Sequence, residues 1–149
     1  IQALEVRPGD SALVVGAATG YGSAILAQLS GSVIAVETRA YLVEKAQENL
    51  VSLGIDNAAV IKSRLVDGYA PEAPYDRILV EGGVEFMPEP LLQQLCPKGK
   101  LAAIHRPKSS PIGVASMWTR SGKKFVRTSL FDARVPNLDE FNKKPEFVF

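Results

Sequence analysis

Apolar positions along this chain follow two alternating rhythms. Short continuous apolar runs read as buried strands, and apolar residues three and four apart read as helices. Residues 11–15 form the first apolar run, and Gly16 ends it. Residues 20–29 follow with Tyr21, Ala24, Ile25 and Leu29 at helical spacing, and Thr19 is the expected N-cap. Residues 32–36 predict a second strand, closed by Glu37. A helix capped by Thr38 is predicted to run to about Leu53. Its apolar face is Leu42, Ala46, Leu50 and Leu53, and Gly54 stands where a C′ glycine belongs. Residues 58–61, 76–80 and 100–104 predict three more strands. Residues 88–95 read as a short helix with proline in its first turn.

After Pro111 the pattern changes. Residues 112–119 and 124–132 predict two strands joined by the turn Arg120-Ser121-Gly122-Lys123, a hairpin. The tail from Pro136 reads as irregular and closes on Phe147-Val148-Phe149. At the other end, Ile1-Gln2-Ala3-Leu4 reads like the last turn of a helix, stopped by Arg7-Pro8-Gly9-Asp10. The expectation is that this chain is a piece of a longer one. Strand and helix in alternation predict an α/β fold: a mostly parallel, doubly wound sheet ending in an antiparallel hairpin. Ligands of such sheets lie beyond the carboxyl ends of the strands, at the point where strand order reverses. Residues 16–21 and 37–39 are the loops expected there.

Composition narrows the possibilities. A chain of 149 residues with 46% hydrophobic content suits one domain spanning 1–149. Seventeen basic against 16 acidic residues argue against a phosphate-driven nucleic-acid binder. No apolar run approaches membrane-spanning length. Cys96 is the single cysteine and His105 the single histidine, so neither a disulfide framework nor a Cys- or His-based metal site is expected. A reducing, cytoplasmic setting is the default.

The loop Val15-Gly16-Ala17-Ala18-Thr19-Gly20-Tyr21 carries the candidate chemistry. Small residues let a ligand approach the backbone, and a helix N-terminus offers free amide donors. A dinucleotide fingerprint would be G-x-G-x-x-G. From Gly16 that spacing meets Ala18 and Tyr21 in place of its second and third glycines. The spacing G-x-G-x-G, with Ala18 in the middle, keeps Gly16 and Gly20. It suits S-adenosylmethionine, which has no pyrophosphate to seat. Glu37, ending the second predicted strand, can accept both hydroxyls of a ribose.

These residues resemble a known family. Residues 16–21 resemble the first cofactor motif of class I methyltransferases. Asp56-Asn57, the run Ala73-Pro74-Tyr75-Asp76-Arg77-Ile78, the segment 88–95 and Lys98-Gly99-Lys100-Leu101 resemble the protein-L-isoaspartate O-methyltransferase family. Leu130-Phe131-Asp132-Ala133 looks like its bacterial branch. The resemblance implies a Rossmann-like class I methyltransferase fold and S-adenosyl-L-methionine as cofactor. It implies isoaspartyl-containing proteins or peptides as substrate, and a cytoplasmic monomer or weak homodimer. Carried over, the cofactor-binding set is Gly16, Ala17, Ala18, Gly20, Tyr21, Glu37, Thr38, Arg64 and Leu65. Ser63, Arg64 and Leu65 fall where the family has a Gly-Asp-Gly beside the adenine.

The chain departs from that pattern at three places. Val14 replaces an acid, Ala18 replaces the middle glycine, and Arg64 replaces the aspartate beside the adenine. The lost acid at Val14 is a lost acceptor for the cofactor's ammonium, a bond worth about 1.5–3 kcal/mol. The family's Thr-Ile-Ser-Gln-Pro substrate loop lies upstream of the first strand and does not occur here, so no catalytic residue is named. The chain as given is expected to methylate isoaspartyl peptides poorly or not at all. A catalytically degenerate relative, acting as a cofactor-binding or interaction domain, is the alternative. A nucleotide-dependent oxidoreductase is the third reading, disfavoured by Ala18 and Tyr21. Glu81, after the fourth strand, is a candidate for facing substrate. Asp76 reads as fixing the preceding loop, Cys96 as a small buried residue and His105 as a polar residue at a strand end.

Overall fold

The apolar runs become strands of one sheet. The computed structural model describes residues 1–146, so the closing Phe147-Val148-Phe149 lies outside the described residues. Strands β1 (Ser11–Val15), β2 (Ser32–Glu37), β3 (Ala58–Lys62), β4 (Tyr75–Val84) and β5 (Leu95–His105) are parallel. Strands β6 (Gly113–Ser121) and β7 (Lys124–Ala133) complete the sheet as an antiparallel hairpin, in the order β3-β2-β1-β4-β5-β6-β7. The fold class expected from the sequence is therefore found, and strand order reverses between β1 and β4.

Side chains alternate across each strand, which sorts them into two cores. Ala12, Val14, Val33, Ala35 and Val60 pack beneath helices α1 (Tyr21–Leu29) and α2 (Ala40–Ser52). Leu13, Val15, Ile78, Val80, Leu101 and Trp118 form the other face. There they meet α3 (Glu89–Leu92) and the single 3-10 turns Leu65–Asp67 and Asp139–Phe141.

Several local expectations are corrected. Neither Thr19 nor Thr38 caps a helix. α1 starts from Gly20, at a φ of 90°, and α2 from Arg39. Glu37 takes the amides of Thr38 and Arg39 onto its own carboxylate, so the Thr38 hydroxyl turns elsewhere. The helix expected over 88–95 shrinks to α3, because Leu95 already pairs with Tyr75 as the start of β5. Leu91, Leu92 and Leu95 are all buried, a spacing that serves a helix and a strand entry alike. Leu53 is exposed, and Val43 joins Ala46 and Leu50 on the buried side of α2.

Two glycines behave as expected. Gly54 has a φ of 68°, its N–H meets Val51 O at 3.0 Å and the Ile55 N–H meets Leu50 O at 3.0 Å. That pair of bonds is a Schellman cap. The hairpin turn is tighter than expected. Ser121 pairs with Lys124, leaving Gly122 and Lys123 as the loop, with Gly122 at a φ of 61°. A two-residue turn with positive φ at its first central position matches the twist of the flanking strands.

The N-terminal segment holds one 3-10 turn, Gln2–Leu4, where a helix end was expected. Buried Arg77 pins it: Nε donates to Leu4 O at 2.7 Å, Nη2 donates to Glu5 O at 3.1 Å, and the guanidinium pairs with Asp10 at 3.4 Å. Asp76 accepts from the Ser11 N–H at 2.9 Å and from the Cys96 thiol at 3.2 Å, tying β1, β4 and β5 together at their lower ends. Burial alone would raise the Asp76 pKa, but those bonds and the neighbouring Arg77 hold it below its ordinary value.

Candidate functional site

A cleft of about 810 Å³ opens where β1 and β4 part. Most of its walls come from the β1–α1 loop and the start of α1, the end of β2, the upper part of β4, and the tail over residues 135–140, with Leu65 and Ile104 completing them.

The loop is shaped by backbone conformation. Gly16, Ala18 and Gly20 have φ of 84°, 48° and 90°. The N–H groups of Gly16 and Ala17 both donate to Val36 O at 3.0 Å, which folds the loop over the end of β2. Ala18 is the costly member, since a side chain in the left-handed region is disfavoured by about 1–2 kcal/mol. Its N–H is held by Glu37 Oε2 at 3.0 Å. Glu37 is only 3% exposed, and its Oε1 accepts from the N–H groups of Thr38 at 2.9 Å and Arg39 at 3.2 Å. A carboxylate offers about four acceptor sites. Three are occupied by backbone amides, and the remaining one belongs to Oε2.

β4 contributes Glu81, directly after Val80, which pairs with Val15. The carboxyl lies against the first turn of α1 beside Gly22. A Cβ on Gly22 would stand 1.7 Å from Glu81 Oε1, so the absence of a side chain there makes the space for the acid. Burial pushes the Glu81 pKa up to about 7.

The tail is irregular, as expected, yet firmly seated. The Gly83 N–H donates to Pro136 O and the Leu138 N–H to Gly83 O, both at 2.9 Å. Glu140 accepts from the Thr38 hydroxyl at 2.6 Å and from the Leu65 N–H at 2.9 Å. Leu138 lies over Gly16 and Gly82, where a Cβ on Gly82 would stand 2.6 Å from Leu138 Cγ. Phe141, fully buried, anchors the segment.

Of the residues expected from the sequence, Gly16, Ala18, Tyr21, Glu37, Thr38 and Leu65 line the cleft together. Ala17, Gly20 and Arg64 do not. Ala17 is 1% exposed in the core beneath the loop. Gly20 faces α2, where a Cβ would lie 3.3 Å from Ala46 Cβ. Arg64 borders a separate surface hollow and pairs with Asp67 at 3.6 Å. Gly22 and the tail residues 135–140 were not expected there. The tail has no periodic signal, only scattered apolar residues such as Leu138 and Phe141. His105 stands away from the cleft, with Nδ1 2.8 Å from Arg127 Nη1. Burial and that guanidinium lower its pKa. Burial and Asp76 push the Cys96 thiol up to about 11, so it stays protonated.

The donor set fits a nucleoside joined to an amino acid. A free Glu37 acceptor site suits a ribose hydroxyl, and a half-buried carboxyl at Glu81 suits a cation. Glu37 takes the Ala18, Thr38 and Arg39 amides, so those three are not offered to a pyrophosphate.

The sequence profile described as Protein-L-isoaspartate(D-aspartate) O-methyltransferase matches residues 1–114. The chain belongs to the protein-L-isoaspartate O-methyltransferase family. It is 38% identical over 118 residues to protein-L-isoaspartate O-methyltransferase 2 of Archaeoglobus fulgidus, a match covering 77% of this chain and 51% of that protein. A solved protein-L-isoaspartate O-methyltransferase superposes with a TM-score of 0.86 at 25% identity, covering 92% of this chain and 44% of the other. A Plasmodium falciparum protein assigned to the same family, solved in complex with S-adenosyl-L-homocysteine, gives a TM-score of 0.69 at 26% identity. It covers 90% of this chain and 67% of its own. The chain spans about half the length of the curated family members it matches. Among the described residues, no helix is long and apolar enough to cross a membrane.

Proposed function

We propose that this chain carries the S-adenosylmethionine site of a protein-L-isoaspartate O-methyltransferase. The reaction is methylation of the carboxylate of isoaspartyl residues in damaged cytoplasmic proteins, carried out by a monomer or weak homodimer without nucleic acid or membrane. One observation carries the reading. In a chain of this family, the cleft at the strand-order reversal presents a buried Glu37 that shapes the β1–α1 loop and keeps one acceptor site on Oε2.

Gly16 and Ala18 would lie along the cofactor, Glu37 would accept a ribose hydroxyl, and Leu65 would pack beside the base. The cofactor, when bound, supplies a methyl group on a positively charged sulfur that leaves readily. An isoaspartyl carboxylate is already a nucleophile at neutral pH, so the protein need not remove a proton. Positioning is the main contribution asked of it. His105 and Cys96, both held away from the cleft in other bonds, have no part in it.

The test is transfer of labelled methyl from S-adenosylmethionine to an isoaspartyl peptide, beside its aspartyl twin. Base-labile label on the isoaspartyl peptide alone, even at low turnover, supports the reading. Label on neither peptide, from an N-terminally extended chain that binds S-adenosylhomocysteine, would sink the substrate assignment.

A further inference from the structure

We infer that Glu81 is the residue that holds the α-ammonium of the cofactor in this chain, an inference resting on the cofactor reading above. Four carboxylates border the cleft, and they are not equivalent. Glu37 accepts three backbone N–H bonds. Glu140 is committed to Thr38 and Leu65. Asp139 sits exposed on the tail. Glu81 alone is partly buried while accepting no hydrogen bond from the described residues. A desolvated carboxylate without a partner is unfavourable unless something supplies a donor or a positive charge.

The space around it is built for that partner. Glu81 follows Val80 on β4, next to the place where β1 gives way to Gly16. Gly22 supplies the room its carboxyl occupies. On β1, Val14 is fully buried in the apolar core, so that strand offers no acid to the cleft. An amino-acid ammonium bound between the loop and β4 therefore finds its carboxylate on β4. The raised pKa of Glu81 agrees, since a permanent cation beside it would restore the ionised form.

Calorimetric titration of wild type and Glu81→Gln with S-adenosylhomocysteine and with 5′-methylthioadenosine tests this. The first ligand carries the ammonium, the second lacks the amino-acid end, and neither carries the sulfonium charge. Glu81→Gln should bind S-adenosylhomocysteine about ten- to hundredfold more weakly, the range of a charge-assisted hydrogen bond, with 5′-methylthioadenosine unchanged. Thermal unfolding of the variant serves as the folding control. Unchanged S-adenosylhomocysteine affinity, or an equal loss for both ligands, overturns the assignment of Glu81 while the cofactor reading stands. A folded wild-type chain that binds neither ligand overturns the cofactor reading, and the assignment with it.

Discussion

The Ala18 backbone N–H donates to Glu37 Oε2 at 3.0 Å, joining the ends of β1 and β2 into one edge of the cleft. The bond holds Ala18 at a φ of 48°, where a glycine would sit without strain. It also turns the carboxylate so that one lone pair of Oε2 remains free. Glu37 thus shapes the loop as well as offering a ligand acceptor.

Glu37→Ala should weaken S-adenosylhomocysteine binding by about 1–3 kcal/mol, through the lost hydroxyl acceptor and the loosened loop. Titration calorimetry measures the first effect. Hydrogen exchange at the Ala18 amide measures the second and should accelerate. Wild-type affinity in the mutant would remove Glu37 from the site.

Gly20→Ala and Gly54→Ala should differ in cost. Both glycines have positive φ, at 90° and 68°. A Cβ on Gly54 meets nothing within 4 Å, whereas one on Gly20 would stand 3.3 Å from Ala46 Cβ. Gly54→Ala should therefore cost about 1 kcal/mol and Gly20→Ala about 2–3 kcal/mol, the second adding crowding to backbone strain. Urea denaturation of the two variants checks the order.

Glu81 predicts a pH dependence of stability. Its folded-state pKa of about 7 lies above the ordinary glutamate value, so the folded chain holds the proton longer than the unfolded one. Stability should therefore fall as pH rises from about 4.5 towards 7. Solvent reaching the carboxyl limits the effect to about 1–2 kcal/mol. The other charged residues that line the cleft are Glu37, Arg39, Asp139 and Glu140. The difference between wild type and Glu81→Gln isolates its share. A difference that is flat across this range would contradict the burial argument.

His105 should stay neutral, with its proton on Nε2, because Arg127 can only donate and so makes Nδ1 the acceptor. Its pKa is lowered by burial first and by Arg127 second. The unfolded chain then binds this proton more readily, and the contribution to stability is lost as pH falls through the histidine range. As the only histidine in the chain, it gives one resolvable ring signal by NMR. Arg127→Met should move that titration upward.

The amino-acid sequence by itself determined whatever depends on near neighbours. β1, β2 and β3 fall within a residue of the apolar runs; β1, inside the sheet, is buried almost throughout, and a strand buried on both faces is apolar throughout. Gly54 and Gly122 were legible because positive φ is a local demand that glycine meets. Gly16 and Glu37 were legible because each ends a strand, where a doubly wound sheet places its ligand. Contacts between distant segments needed the tertiary structure. Thr38 lost its cap role to Glu37 and gave its hydroxyl to Glu140 of the tail. Gly20 turned towards α2 and Ala17 into the core, because bonds to Val36 set the tilt of the loop. Glu81 was visible only as an acid after a strand. The desolvation that gives it a role arises because Gly22, on a helix far away in sequence, leaves a space that the carboxyl fills. Burial of a charge is a property of everything packed around it, and no local pattern encodes that.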